Sequence, residues 1–226
     1  MIFRRLTRLG DQFIMHFRKL TFTDRCISEL DKALRVIAAD SRARRPIPPA
    51  TSKSELAEHE KKQVARLMRV NHAGEIAAQA LYRGQALLAH DPDLRKNLLE
   101  AADEEHDHLA WCQQRAEDLG GEISKLAPFW YAGSFAIGVA AGLTGDKTSL
   151  GFLAETEKQV TEHLDGHIQE LPAEDHASRA ILEKMREDEI QHGEGAIAKG
   201  GTVLPKPVKD AMRIASRVMT GVSYRI

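Results

Sequence analysis

The chain carries one pattern twice: a glutamate, followed further along by a Glu-x-x-His motif. Its members are Glu75, Glu105 and His108 in the first half and Glu157, Glu189 and His192 in the second. The two glutamates of a half are 30 residues apart in the first half and 32 in the second. Because helix residues three apart share a face, each motif can aim a carboxylate and an imidazole at one point. The repeat therefore predicts two helix pairs that supply matching groups to one site.

The glutamates of this pattern fall on apolar helical faces. Met185 and Ala196 share the predicted face of Glu189, and Glu157 is flanked at helical spacing by leucines and a valine. Such a face packs against a core, where an unpaired carboxylate is costly. A lone Glu-x-x-His is a weak signal in a chain with 10 histidines. The prediction of a shared site therefore depends on the repeat and on the apolar faces. A bound metal would resolve the conflict between charge and burial.

The periodicity predicts an all-α fold, because helical spacing recurs along the chain and no strand-like alternation persists. Four long helices would carry the candidate ligands, at 55–89, 93–119, 149–171 and 173–199. Two helix pairs with matching carboxylates and histidines are typical of di-iron and di-manganese bundles. We therefore expect a ferritin-like four-helix bundle with a long crossover and extra amphipathic helices at both termini.

The predicted organisation has three parts. Residues 1–23 form a basic amphipathic extension, which is an interfacial helix, a transit segment or a start without a structural role. Residues 24–54 form a helix with an Ile27, Leu30, Leu34 and Ile37 stripe, followed by a proline-rich linker. Residues 55–226 form the bundle, including the crossover at 126–145 and a last helix at 205–224.

The crossover contains no charged residue, and its length could span a bilayer. Pro128 near its start and four glycines lower its hydrophobicity, which favours a buried or membrane-dipping helix over a span. The ridge of Ala132, Ala136 and Ala140 and that of Gly138 and Gly142 allow close helix approach. In the last helix, apolar residues oppose lysines and arginines, which suits either an anionic membrane surface or a solvated face.

Composition excludes several classes of function. The formal net charge is −1, so no overall field favours nucleic acid as a partner. Cys26 and Cys112 lack paired spacing, which indicates neither a disulfide framework nor a zinc site and fits a reducing compartment. No glycine-rich phosphate loop is present.

Other polar residues near the pattern could orient its ligands. They are His72, Asn71, Tyr82 and His163. Glu104 is the main rival of Glu105 as a ligand, but its neighbours predict an exposed face. The remaining histidines are expected to face solvent: His16, His59, His90, His106, His167 and His176.

Four carboxylates and two imidazoles suit iron or manganese and leave coordination positions open for oxygen or water. A reduced di-iron pair could then deliver electrons to dioxygen in a dry site. Three functions stay open from the residues alone: a monooxygenase, a ferritin-like ferrous iron oxidase or store, and a structural membrane-associated bundle.

Three stretches together resemble the demethoxyubiquinone hydroxylase family of ubiquinone biosynthesis. They are RVNHAGE at 69–75, EEHDHLAWC at 104–112 and ILEKMREDEIQH at 181–192. The resemblance covers roughly residues 24–226 and excludes the first 20. It places the family's iron ligands on the six residues of the repeated pattern.

The resemblance implies a ferritin-like monooxygenase with two ferrous ions per chain and dioxygen as co-substrate. Its substrate would be a polyprenylated methoxy-methyl-benzoquinol, hydroxylated on the ring. The family also implies peripheral association with a membrane surface, at the cytoplasmic face of a bacterial inner membrane or at the mitochondrial inner membrane in a eukaryote. An electron donor and other quinone-biosynthesis proteins are further expected partners.

Overall fold

The computed structural model describes residues 21–38, 42–52 and 55–226. Within these ranges all regular elements are helices and there is no strand, which confirms the predicted all-α fold. In chain order the helices are α1 (Phe22–Ala38), α2 (Glu58–Leu88), α3 (Pro92–Asp118), α4 (Ala127–Leu143), α5 (Asp146–Glu170), α6 (His176–Ala198) and α7 (Lys206–Ser223). Residues 1–20, most of the predicted basic extension, lie outside the described residues.

Local capping fixes where the long helices begin. Asp91 accepts a hydrogen bond from the Asp93 backbone N–H at 2.9 Å, just before α3, where Pro92 has no N–H to satisfy. Asp175 does the same for the Ser178 N–H at 3.0 Å, before α6. These caps satisfy N–H groups that the first turn of a helix leaves without partners.

Two apolar layers cross the bundle, and both are built from α2, α3, α5 and α6. One layer includes Met68, Trp111, Leu164 and Met185, and the other includes Tyr82, Leu98, Leu153 and Ala196. On each helix, one glutamate of the repeated pattern lies between the residues of the two layers. The fold therefore places a polar layer inside an apolar core.

Helix α4 packs closely along α2 through glycines. Gly84 on α2 faces the Phe135 carbonyl, and Gly138 on α4 faces the Leu81 carbonyl, with no room for a Cβ atom at either position. The predicted glycine ridge therefore makes the contact, whereas the alanine ridge is exposed. The backbones can approach closely because neither glycine has a side chain. In the described ranges, no helix is both long and apolar enough to cross a membrane.

Most of the predicted apolar stripe of α1 does not pack against the core, so this prediction is largely wrong. Ile27, Leu30 and Leu34 are about 60% exposed, and the helix instead packs through the adjacent face that carries Ala33 and Val36. The reason is that α1 covers only one edge of the molecule, so it has too little core to bury both faces. An apolar surface is left along α1.

The close approach of α2 and α4 makes a testable prediction about two glycines of α4. Gly138→Ala should lower the free energy of unfolding by about 1–3 kcal/mol, because the new methyl group would clash with the Leu81 carbonyl. Gly133→Ala meets no atom within 4 Å and should stabilise the helix by up to about 1 kcal/mol. Urea denaturation of both variants measures the difference, and equal stabilities would contradict this packing.

Candidate metal centre

The polar layer between the two apolar layers contains two overlapping groups of side chains. The groups are Glu75, Glu105, His108 and Glu189, and Glu105, Glu157, Glu189 and His192. In each group, one ligand atom per residue lies within 4.8 Å of the others. The structure thus brings all six residues of the repeated pattern together. Glu105 and Glu189 belong to both groups, so a metal ion held by either group would be near both of them.

The ligand atoms are buried and incompletely paired. The four glutamates and His108 are at most 2% exposed, and the His192 side chain is 13% exposed. Among the described residues, Glu105 Oε1, Glu157 Oε2 and Glu189 Oε1 have no hydrogen-bond partner. Buried, unpaired carboxylate oxygens are costly unless they coordinate a cation. Oxygen and imidazole donors of this kind fit iron or manganese.

Burial and mutual repulsion shift the pKa values of the carboxylates. Burial, followed by repulsion from neighbouring glutamates, raises the pKa of Glu75 and Glu157 well above the usual value. Burial would also raise the pKa of Glu105, but the hydrogen bond from His108 and the nearby imidazole of His192 outweigh it and lower that pKa. Four ionised carboxylates therefore cannot coexist here without added positive charge. Divalent cations supply this charge, and their binding would displace protons.

The two histidines face the polar layer in the same way. His108 Nδ1 lies 2.9 Å from Glu105 Oε2, and His192 Nδ1 lies 3.4 Å from Glu105 Oε1. The other ring nitrogen of each points outward to another carboxylate: His108 Nε2 is 3.0 Å from Asp188 Oδ2, and His192 Nε2 is 2.9 Å from Glu104 Oε2. A carboxylate on the outer nitrogen fixes the ring and makes the inner nitrogen a better ligand.

These outer contacts are reciprocal between the two halves of the chain. Glu104 immediately precedes the first motif and binds the histidine of the second, whereas Asp188 precedes the second motif and binds the histidine of the first. The expectation that Glu104 has an exposed face fits its half-exposed side chain. Sequence reasoning missed Asp188, although an acidic residue directly before each motif was the available signal.

Known proteins are similar in sequence to this chain over most of its length. The family model described as Ubiquinone biosynthesis protein COQ7 matches residues 62–223. A relative from Ralstonia pickettii is 54% identical over 215 residues, which cover 90% of this chain and 99% of that protein. The chain belongs to the COQ7 family. The expected relationship to the demethoxyubiquinone hydroxylases is confirmed.

Other members of the COQ7 family agree with this match. A protein from Dechloromonas aromatica is 54% identical over 203 residues, covering 89% of this chain and 98% of its own length. One from Cupriavidus pinatubonensis is 55% identical over 206 residues, covering 90% of this chain and 100% of its own length. All three relatives are named 3-demethoxyubiquinol 3-hydroxylase.

Of the residues expected to orient ligands in this COQ7-family chain, Tyr82 contacts a glutamate of the polar layer, whereas Asn71 and His163 contact His167. The hydroxyl of Tyr82 donates a hydrogen bond to Glu157, and burial raises its pKa well above the usual value, so it stays a donor. Asn71 Oδ1 instead lies 2.9 Å from His167 Nδ1, and the ring of His163 packs against that of His167 at an interplanar angle of 59°. His72 is buried, and burial lowers its pKa to about 4.

Two features near the centre have no local sequence signal. Arg45, from the predicted linker, donates hydrogen bonds of 2.8 Å to both Asp107 and Asp188, and its guanidinium lies over Trp111. The linker is thus held against the carboxylate that binds His108. The prediction that His167 faces solvent is wrong, because it is 7% exposed and packs between α5 and α2.

The reciprocal contacts predict an effect on metal affinity. Asp188→Asn should weaken divalent metal binding roughly 10- to 100-fold, because the outer nitrogen of His108 loses its charged partner. Glu187→Gln, an exposed neighbour, is the matched control. Competition with a chromogenic chelator measures the affinity, and an Asp188→Asn protein that binds metal as tightly as the control would contradict the role assigned to Asp188.

Proposed function

We propose that this protein hydroxylates the ring of a polyprenylated methoxy-methyl-benzoquinol with dioxygen at a di-iron centre, as a step of ubiquinone biosynthesis. One observation carries the proposal: two buried ligand groups share Glu105 and Glu189 and adjoin a large apolar cavity. The names of the COQ7-family relatives support the same reaction.

The proposed iron ligands are the two overlapping groups of the polar layer. Four carboxylates balance the charge of two ferrous ions, and Glu105 and Glu189 are the proposed bridges. When bound, iron supplies the redox chemistry that couples electrons from a reductant to dioxygen and to ring hydroxylation. The chain itself orients the ligands through Glu104 and Asp188 and keeps bulk water out with the two apolar layers. Tyr82 holds Glu157 by a hydrogen bond.

A cavity of about 600 Å³ lies between α2, α4, α5 and α7. Glu75 lies in its wall, so a molecule in the cavity would lie against the proposed metal centre. Most of the remaining wall is apolar, including Leu81, Phe152, Met212 and Met219. A cavity of this size accommodates a substituted ring with the first part of a prenyl tail.

The cavity opens at an apolar rim. Phe129 and Ile137 of α4 line it and are 72% and 45% exposed, and Val208 of α7 lines it and is 38% exposed. Further along α7, Ile214 and Val218 are 62% and 57% exposed. Exposed apolar surface beside a cavity is typical of an interaction surface. We infer that this rim rests on the membrane that dissolves the prenyl tail, at the cytoplasmic face of a bacterial inner membrane.

Loss of a shared ligand tests the reaction. Glu189→Ala should lose bound iron and hydroxylated product together, each by more than roughly a hundredfold, because Glu189 belongs to both ligand groups. Glu183→Ala on the exposed side of α6 is the matched control. Metal analysis and mass spectrometry of the quinone pool, in cells that lack the native protein, provide the two measurements.

Two outcomes would favour another function. An iron-free Glu189→Ala protein that retains full hydroxylation would show that these carboxylates do not form the reactive centre. Oxidation of ferrous iron with accumulation well beyond two ions per chain would indicate a ferritin-like iron store.

The exposed apolar side chains of α7 predict vesicle binding. Replacing both Ile214 and Val218 by serine should weaken binding to phospholipid vesicles roughly tenfold, because each exposed apolar side chain would otherwise enter the interface. Val203→Ser, at an 87% exposed position between α6 and α7, is the control. Co-sedimentation with vesicles measures binding, and equal binding of the two variants would place the contact elsewhere.

A further inference from the structure

The wall of the cavity contains three buried nitrogen atoms. They belong to Asn71, Trp130 and His163. Within the described part of the chain, Asn71 Nδ2, Trp130 Nε1 and His163 Nε2 have no hydrogen-bond partner. Asn71 is only 3% exposed, so water from the surface does not satisfy its amide. Buried polar groups of this kind are costly unless a ligand binds them.

His167 fixes the direction of the Asn71 amide. His167 Nδ1 lies 2.9 Å from Asn71 Oδ1, and because a carbonyl oxygen only accepts, the imidazole must donate. Burial, followed by the neighbouring His163, lowers the pKa of His167 to about 3, so the ring is neutral at physiological pH. With its oxygen held by His167, Asn71 is left with its N–H₂ group as an unused donor in the cavity wall.

The direction of α4 places Trp130 towards the same end of the cavity. Gly138 lies against Leu81 and Gly142 lies against Gln85, so α2 and α4 run in the same direction along this contact. Trp130 is about two helical turns before Gly138, and Asn71 and Glu75 are about two to three turns before Leu81, so all three lie towards the same end of the contact. The cavity therefore has a polar end beside the proposed metal centre.

The opposite end of the cavity is apolar. Leu81, Ile137 and Phe152 line it, and Ile137 is about two helical turns further along α4 than Trp130. A ligand with oxygen acceptors at one end and a hydrocarbon chain at the other matches this arrangement. His163 at the polar end is itself uncharged at physiological pH, since burial lowers its pKa to about 4.

We propose that the Asn71 amide and the Trp130 indole N–H recognise the ring oxygens of the substrate, and that His167 acts as a positioning residue for Asn71. This assignment rests on the proposed function, because the ligand is the same benzoquinol or its quinone. The two donors hold the hydroxyl or methoxy oxygens and so keep the ring next to Glu75. The prenyl tail extends towards Leu81 and Ile137.

Binding can be measured on the full chain without turnover. The protein contains two tryptophans, so Trp111→Phe leaves Trp130 as the single tryptophan, which can be excited selectively. A methoxy-methyl-benzoquinone with a ten-carbon chain should quench its fluorescence, because quinone rings in contact with an indole accept its excitation. Decylbenzene, which has the chain but no ring oxygen, is the reference ligand, and equilibrium dialysis gives both affinities.

The variants separate recognition from folding. Asn71→Leu, which keeps the branched side-chain shape without the polar atoms, should weaken quinone binding roughly 3- to 10-fold and leave decylbenzene binding unchanged. Trp130→Phe should have the same selective effect in dialysis. His167→Leu should match Asn71→Leu, whereas His167→Gln should restore affinity, because its amide can again donate to Asn71. In the holoenzyme, KM should rise by a similar factor.

The contrary outcomes are distinct. Equal losses for both ligands, or no loss for either, would overturn ring recognition by Asn71 and Trp130 while leaving hydroxylation itself untouched. Failure of His167→Gln to restore affinity would overturn the positioning role. Absence of quinone binding to the parent protein would overturn the cavity assignment and the proposed function together.

Discussion

The structure depends on the burial of four carboxylates between two apolar layers. Each layer draws side chains from the same four helices, so the glutamates between them cannot reach water without disrupting the core. The two histidines reduce the repulsion in part, as the lowered pKa of Glu105 indicates, whereas the pKa of Glu75 stays raised. A pair of divalent cations would neutralise the layer fully, which couples metal binding to the stability of the bundle.

The two halves of the chain are tied together across this layer. The residue directly before each motif, Glu104 or Asp188, supplies the carboxylate that orients the histidine of the other motif. Neither half can therefore form a complete site alone. Arg45 adds a third tie, because it links α3 to α6 through Asp107 and Asp188. Glu104, Asp188 and Arg45 lie outside the two ligand groups. They can orient the proposed ligands without occupying the space that a metal ion or oxygen would need.

The surroundings of the centre differ from one side to the other. On the side of α4 and α7 the wall is an apolar cavity with a polar end, and its rim is exposed apolar surface. A protein that only stores iron has no use for such a cavity. Together with membership of the COQ7 family, the cavity supports the proposal that an organic substrate with a long apolar tail reaches the proposed metal centre from a membrane.

Much of this organisation was predictable from the sequence. Helical periodicity predicted the all-α fold, and the long helices end within about three residues of the expected positions. The repeated pattern identified the six side chains that meet in the polar layer. In each Glu-x-x-His motif this was possible because residues three apart on a helix share a face. The exposed stripe of α1 and the buried His167 were not predictable in this way, since both depend on how much core a neighbouring helix offers.

The sequence by itself therefore determined which residues face the interior of each helix, through the spacing of charged and apolar side chains along the chain. Only the tertiary structure decided how the helices are set against one another: which carboxylate binds which histidine, where Arg45 attaches, and that Asn71 and Trp130 share one cavity. The physical reason is that these contacts join residues about 60 to 140 positions apart. Their register is set by side-chain packing, as at Gly84 and Gly138, and not by any local pattern.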